Sequence, residues 1–362
     1  MIPLNKPYFN QDDVDAVKKV MKSGWVSQGP VCEEFERAAA KYLKCKHVIS
    51  VTNCTSALFL SLKALNIQPE DEVIYPDFTF PATALAIQAV GATAVPADVS
   101  FYSYNIHAKT ICKVVTKKTK AIIPVHLFGR PAQMFYIMNF AKTCGLKVIE
   151  DAACALGATY GGKKIGTIGD LGCFSLHARK GITTGEGGLV ATNDDDLANQ
   201  VRLMSNFGVE RTYKRKKSIF FLSPGCGFNF KMSDITAAIG LVQLSRIDKM
   251  IAWRRKVASA WREIIEDDKF LRDELIILPS MVGDIFQAFV VRCVHDRQRV
   301  EKYFKKKGFE TGIGTYACHL FPAFYDNKKL HLINSTQLYE ECLSLPIWYG
   351  LNLKKEWGKK NG

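Results

Sequence analysis

Apolar runs rich in β-branched residues alternate with helical patterns along the first two thirds of the chain. His47-Val-Ile-Ser-Val51 precedes a helical stretch from Thr55 to Leu65, and Glu72-Val-Ile-Tyr75 precedes another from Ala82 to Val90. Ala121 to Val125 precedes Ala132 to Lys142, and Lys147-Val-Ile-Glu150 follows. Repeated strand-then-helix units predict an α/β fold with a mostly parallel sheet. The strands are apolar at nearly every position rather than at alternate ones, as expected where helices cover both faces of a sheet.

Ahead of the sheet, Asn10 is placed to cap a helix on which Val14, Val17 and Met21 share one face and which Gly24 ends, an N-terminal arm. Beyond the sheet, Ser233-Asp234 opens a long helical stretch, Ile235 to about Ile265. It leads to a C-terminal part with a strand, Ala288 to Val294, and a basic helix, Arg297 to Lys307. The chain is therefore expected to divide into an arm plus large domain, residues 1–245, and a small α+β domain, residues 246–362.

Composition narrows the class. With 362 residues, 48% of them hydrophobic, the chain can bury a large core. It has no apolar run of about 18 residues, and the start, Met1-Ile-Pro-Leu-Asn-Lys-Pro7, lacks the features of a secretory signal. A soluble cytoplasmic protein with no membrane partner is expected. The 11 cysteines are odd in number, scattered from Cys32 to Cys342, and form no C-x-x-C pair, which predicts free core thiols and no metal site.

The 49 Lys+Arg against 35 Asp+Glu give a formal +14, suited to nucleic acid, acidic membranes or small anionic substrates. The basic residues fall in separate clusters, Lys117-Lys118, Lys214 to Lys217, Lys305 to Lys307, Lys328-Lys329 and Lys359-Lys360, outside any recognisable nucleic-acid module. No nucleic-acid partner is expected.

In open parallel sheets ligands bind beyond the carboxyl ends of the strands. Thr52-Asn-Cys-Thr-Ser-Ala57 lies between a strand and a helix, where N–H groups and hydroxyls can hold a phosphate; taken alone it reads as an ordinary helix cap. Glu150-Asp151-Ala-Ala ends a strand, where a carboxylate can pair with a cationic ring nitrogen or a metal, or again cap a helix. The most specific segment is Cys173-Phe-Ser-Leu-His-Ala-Arg-Lys-Gly-Ile-Thr-Thr-Gly-Glu-Gly-Gly188. Its glycines permit a tight turn and close approach of backbone to a ligand. Lys180 can react with an aldehyde once it loses its proton, which partial burial beside a cation such as Arg179 favours. A surface Arg-Lys pair in a glycine loop is the alternative. Together the segments supply what pyridoxal phosphate requires.

The chain resembles the DegT/StrS family of sugar aminotransferases, within the aspartate-aminotransferase-like fold. The resemblance is carried by Ile2 to Tyr8, Gly24-Trp-Val-Ser-Gln-Gly29, Asp71 to Thr83, Gly91-Ala-Thr93, Pro124-Val-His-Leu-Phe-Gly129, Glu150 to Gly157, Phe174 to Gly188 and Gly227-Phe-Asn-Phe-Lys-Met-Ser-Asp234. It implies that Lys180 carries pyridoxal 5'-phosphate as an internal aldimine, that Asp151 contacts the ring nitrogen, and that Phe80 stacks on the ring. Ser175 and the Thr55-Ser56 segment would hold the phosphate, with Cys154 beside the ring. Asn229 would reach the phosphate of a neighbouring subunit, so a homodimer with shared active sites is implied. Trp25, His126, Glu186, Lys231 and His319 become the candidate substrate contacts.

Departures from the family pattern are visible. Cys54 stands where glycine is usual in the phosphate loop, Cys154 where Gln or His is usual, and Lys231 where arginine is usual, and Arg and Lys are not equivalent where a fork geometry is needed. The usual P-L-H segment is not evident in Tyr316-Ala-Cys-His-Leu-Phe-Pro322.

The resemblance implies transfer of an amino group from L-glutamate, through the pyridoxamine 5'-phosphate form, to a nucleotide-diphosphate ketosugar. Gly181 to Gly188 resembles the members that aminate C4, giving a viosamine- or perosamine-like product from a 4-keto-6-deoxyhexose linked to UDP, or else dTDP or GDP. Related activities are amination at C3 and pyridoxamine-dependent dehydration, the latter opposed by Lys180, since a histidine is typical there. A regulatory or nucleic-acid-binding protein has no positive motif. The Arg211 to Lys217 stretch could attract the diphosphate or be a solvated loop.

Overall fold

A computed structural model describes residues 1–209, 227–327 and 331–359. The basic stretch from Arg211 to Lys217, the pair Lys328-Lys329 and Lys360 lie outside the described residues.

A seven-stranded sheet organises the large domain. In spatial order its strands are His47–Val51, Gly188–Thr192, Leu171–Ser175, Lys147–Asp151, Thr119–Ile122, Glu72–Pro76 and Thr93–Ala97. Gly188–Thr192 runs against both of its neighbours, and the other pairings are parallel. The continuous apolar runs are explained by cores on both faces. Val48, Ile74, Ile122 and Val148 enter one core, while Ile49, Val73, Ala121 and Ile149 enter the other. Each valine or isoleucine among them contributes about 1.5–3 kcal/mol on burial.

The small domain holds a four-stranded sheet in the order Leu275–Ile277, Phe289–Cys293, Cys342–Leu345 and Gly312–Ile313, with antiparallel pairings. Its core gathers Trp261, Phe304, Phe309 and Trp357.

Two expectations change. The helical stretch from Ile235 is two helices, Asp234–Ser245 and Ile247–Asp267, parted at Arg246, whose guanidinium binds Asn10 and Asp13 of the N-terminal helix. On that helix, Gln11–Ser23, the buried residues are Asp13 and Val20, while Val14 and Met21 stay exposed. The first residues of the arm also side with the small domain: the Ile2 amide donates to Gly308 O at 2.7 Å, and its carbonyl accepts from the Glu310 amide at 2.9 Å. In the other direction, Tyr316-Ala317 crosses to pair with Phe78-Thr79 of the large domain. Among the described residues the cysteines are free, and no helix is long and apolar enough to cross a membrane.

Candidate active site

The strand Lys147–Asp151 ends by sending its last two side chains to opposite sides. Glu150 is fully buried. Its carboxylate accepts from the amides of Gly166, Ile168 and Gly169 at 2.9, 2.6 and 2.7 Å, and lies 3.0 Å from His126 Nε2. Asp151, 5% exposed, accepts from Thr83 Oγ1 at 2.7 Å and from the Ala153 amide at 3.1 Å, one on each oxygen. Those two donors fix the carboxylate and leave lone pairs for a further N–H donor.

Lys180 lies on the loop between Leu171–Ser175 and Gly188–Thr192. The loop is tied at its base by the Leu176 amide donating to Gly187 O at 2.9 Å and the Thr184 amide to Leu176 O at 3.0 Å. It turns through Gly185 at φ +86, a left-handed geometry that favours glycine. The half-buried Lys180 directs Nζ to Cys154 Sγ at 3.2 Å. Burial is the largest influence on its pKa and acts downward. The combined pull of Cys154, Cys54 and Asp151 outweighs it and raises the pKa above the ordinary lysine value. This corrects the expectation of a neighbouring cation: Arg179 is exposed, and the groups acting most on Lys180 are thiols and a carboxylate. Because burial pushes the Cys54 thiol well up, Asp151 is the stronger source of negative charge.

The phosphate-loop candidate has the geometry of a capped helix start. Asn53 Oδ1 accepts from the Ser56 amide at 2.8 Å, and Thr52 Oγ1 meets Ser56 Oγ at 3.0 Å. Thr55 is exposed at the first turn of helix Cys54–Ala64, and the buried Ser175 accepts from the His177 amide at 3.3 Å. Gly188 lies flush against this loop, where a Cβ would stand 2.4 Å from the Asn53 carbonyl carbon and 2.8 Å from the Cys54 nitrogen. Phe80, 63% exposed, meets the Tyr316 ring edge-to-face at 6.0 Å, just before the turn that carries Thr83.

The other predicted contacts divide. His126 is fully buried: Nε2 faces Glu150, and Nδ1 accepts from the Ala132 amide at 3.0 Å, so both ring nitrogens are occupied within the fold. His319 lies at the seam where the chain returns to the large domain, with Nδ1 2.6 Å from Asp77 and Nε2 3.3 Å from Thr336. Trp25 packs over Gly29, next to Asp234. Lys231 lies 4.1 Å over the Phe207 ring, Glu186 is exposed 3.7 Å from His177, and Asn229 is exposed and bridges to Asn206. Thr83 is the residue sequence reasoning missed; it sits in a family-like stretch, and only the fold brings it to Asp151.

A flat, anionic, aldehyde-bearing cofactor fits this arrangement. A half-buried amine stands close to a carboxylate with lone pairs to spare, a capped helix start lies under a glycine that admits no side chain, and a broad aromatic face is open at the rim.

The DegT/DnrJ/EryC1/StrS aminotransferase family matches residues 7–356. The chain is 43% identical over 263 residues to a GDP-perosamine synthase of Caulobacter vibrioides, covering 72% of this chain and 69% of that one. It is 36% identical to an uncharacterized protein, MJ1066, of Methanocaldococcus jannaschii, covering 96% of this chain and 92% of that one. It superposes with a TM-score of 0.91 at 25% identity on PseC of Helicobacter pylori, an aminotransferase involved in the biosynthesis of pseudoaminic acid, over 99% of this chain and 97% of that one.

Proposed function

The chain belongs to the DegT/DnrJ/EryC1/StrS aminotransferase family, and on that premise we propose that it transfers an amino group from L-glutamate to C4 of a nucleotide-linked 4-keto-6-deoxyhexose, with pyridoxal 5'-phosphate held on Lys180. The observation that carries this reading is the meeting of Lys180, Cys154 and Asp151 at the carboxyl end of the sheet, with Nζ 3.2 Å from the thiol. When bound, the cofactor supplies an aldehyde and an electron-withdrawing ring. Asp151, held by Thr83 and the Ala153 amide, keeps a proton on the ring nitrogen. The amine of Lys180 would hold the aldehyde, and as a free amine it would be the group that accepts and delivers a proton at Nζ. Ser175, Thr55 and Ser56 take the phosphate at the helix start. Phe80 covers the ring.

Similarity to a GDP-perosamine synthase supports a nucleotide-linked sugar and a perosamine-like product, and moves GDP ahead of UDP and dTDP among the nucleotides to test. The exposed Asn229 belongs to the proposed second subunit's share of each site, in a homodimer. Mixing Lys180→Ala and Asn229→Ala chains, each inactive alone, restores activity through mixed dimers if sites are shared; no recovery after demonstrated subunit exchange removes that part.

The reaction is tested by incubating purified protein with glutamate and matched 3-keto and 4-keto sugar nucleotides and locating nitrogen by NMR. Amination at C3 alone, or of free keto acids alone, overturns the substrate assignment. Borohydride reduction followed by peptide mapping tests Lys180 separately.

A further inference from the structure

The backbone at the proposed cofactor lysine is held from outside its own domain. The carbonyl of Arg179 accepts from Gln287 Nε2 at 2.9 Å and from Asn5 Nδ2 at 2.8 Å. The next carbonyl, of Lys180 itself, accepts from Arg254 Nη2 at 3.4 Å. Asn5 lies on the N-terminal segment that pairs with the small domain. Gln287 leads into the strand Phe289–Cys293 of that domain, and Arg254 lies on helix Ile247–Asp267.

Arg254 is only 2% exposed, and its side-chain hydrogen bonds go to carbonyls. Nη1 donates to Gln287 O at 2.8 Å, to Ile347 O at 3.2 Å and to Phe286 O at 3.3 Å. Burial lowers its pKa to about 10. A buried cation spent on carbonyls of separate segments costs desolvation that burying apolar atoms there would avoid. The same segment also ties to the Gly129 turn, beside the Cys154 carbonyl. The Ile285 amide donates to Gly129 O at 3.1 Å, and a Cβ on Gly129 would stand 2.8 Å from the Gln287 nitrogen and 3.1 Å from the Cys154 carbonyl.

We propose that Asn5, Gln287 and Arg254 are positioning residues for Lys180: by clamping the carbonyls of residues 179 and 180, they let the seating of the small domain set where the lysine amine can reach. The proposal rests on the reading of Lys180 as the cofactor lysine. It accounts for the arm and small domain contributing to a loop whose chemistry faces the large domain. Freeing the two carbonyls leaves the phosphate loop and Asp151 untouched, so the cofactor still enters, while the amine is less often in place to bond its aldehyde.

The test uses the full-length holoprotein and the variants Gln287→Met, Asn5→Ala and the pair together, with Arg254→Met and its conservative counterpart Arg254→Lys. For each, total bound cofactor is measured by equilibrium dialysis, and the share covalently trapped by borohydride is measured by mass spectrometry. The trapped-to-bound ratio should fall by about fivefold for each hydrogen bond removed, with total binding changed far less. Arg254→Lys, which keeps a donor, should retain more of the ratio than Arg254→Met. A ratio within twofold of wild type in the double variant overturns the proposal, even if thermal stability falls, because a merely structural role lowers stability and binding together. If the double variant does not fold, Gln287→Met alone, at a half-buried side chain, decides by the same ratio. A wild-type label on a lysine other than Lys180 instead sinks the cofactor reading, and this proposal with it.

Discussion

Glu150 and Asp151 are consecutive carboxylates on one strand, and they live opposite lives. Glu150 is sealed under the sheet, where three backbone amides and His126 use up its lone pairs. Asp151 faces the cleft, with one donor on each oxygen and Lys180 within electrostatic reach. A carboxylate whose acceptor sites are all filled organises a fold; one that is fixed but incompletely filled can meet a ligand. The difference is one of satisfaction rather than burial, since both are almost inaccessible.

The largest expected effect sharpens this contrast at its reactive end. Lys180→Ala should lose turnover by about 10⁴-fold, since both the attachment point and the proton carrier go. Steady-state rates on the ketosugar check this, and near-normal rates would remove the site from this cleft. Next, Asp151→Asn should cost about a hundredfold in kcat while leaving the thermal unfolding midpoint nearly unchanged.

The mirror experiment, Glu150→Gln, should do the reverse. It should lower stability by about 3 kcal/mol, because an amide cannot serve three amides and an imidazole, and leave kcat of the folded fraction near wild type. Loss of kcat without loss of stability in Glu150→Gln would break the comparison outright.

Gly188→Ala forces a methyl into the Asn53-Cys54 backbone and should cost about 1–3 kcal/mol, read as a weakened cofactor dissociation constant as well as a lower unfolding midpoint. Smaller still, Thr83→Val removes one of the two donors that hold Asp151 and should reduce kcat by about fivefold with stability little changed.

The pH dependence of cofactor capture by the apoprotein follows from the raised pKa of Lys180. Burial pulls that pKa down, but Cys154 and the acidic surroundings pull it further up, so the amine stays protonated through neutrality. Only the unprotonated amine attacks an aldehyde. Capture should therefore accelerate as pH rises toward and past the ordinary lysine value. In Cys154→Ala the same acceleration should begin at lower pH.

The histidines show how far pattern reading reaches. His126 lies in a family-like stretch after an apolar strand and His319 in the chain's return segment, and both were reasonable substrate contacts. What pattern reading does not show is that their ring nitrogens are held by partners within the fold, Glu150 and the Ala132 amide for one, Asp77 and Thr336 for the other. The expected cation beside Lys180 failed for a related reason. Arg179 is adjacent in sequence but its side chain is exposed, whereas Cys154 and Asp151 arrive from the next strand. The helix predicted from Ile235 onward read as one element because its apolar period continues past Arg246, and the break there depends on a tie to the N-terminal helix.

By itself the sequence determined the parallel sheet, since doubly covered strands must be apolar throughout, and it determined which segments lie at the strands' carboxyl ends. It also singled out the Lys180 segment, which read alone leaves a surface Arg-Lys pair open and becomes a cofactor-lysine candidate through the family resemblance. The tertiary structure decided which of two adjacent carboxylates faces the cleft, because alternation along a strand sets opposite sides without saying which side is open. It also decided which polar groups arrive at the cleft with bonding capacity left, because that capacity is consumed by amides and carbonyls many residues away, and only the folded chain brings them near.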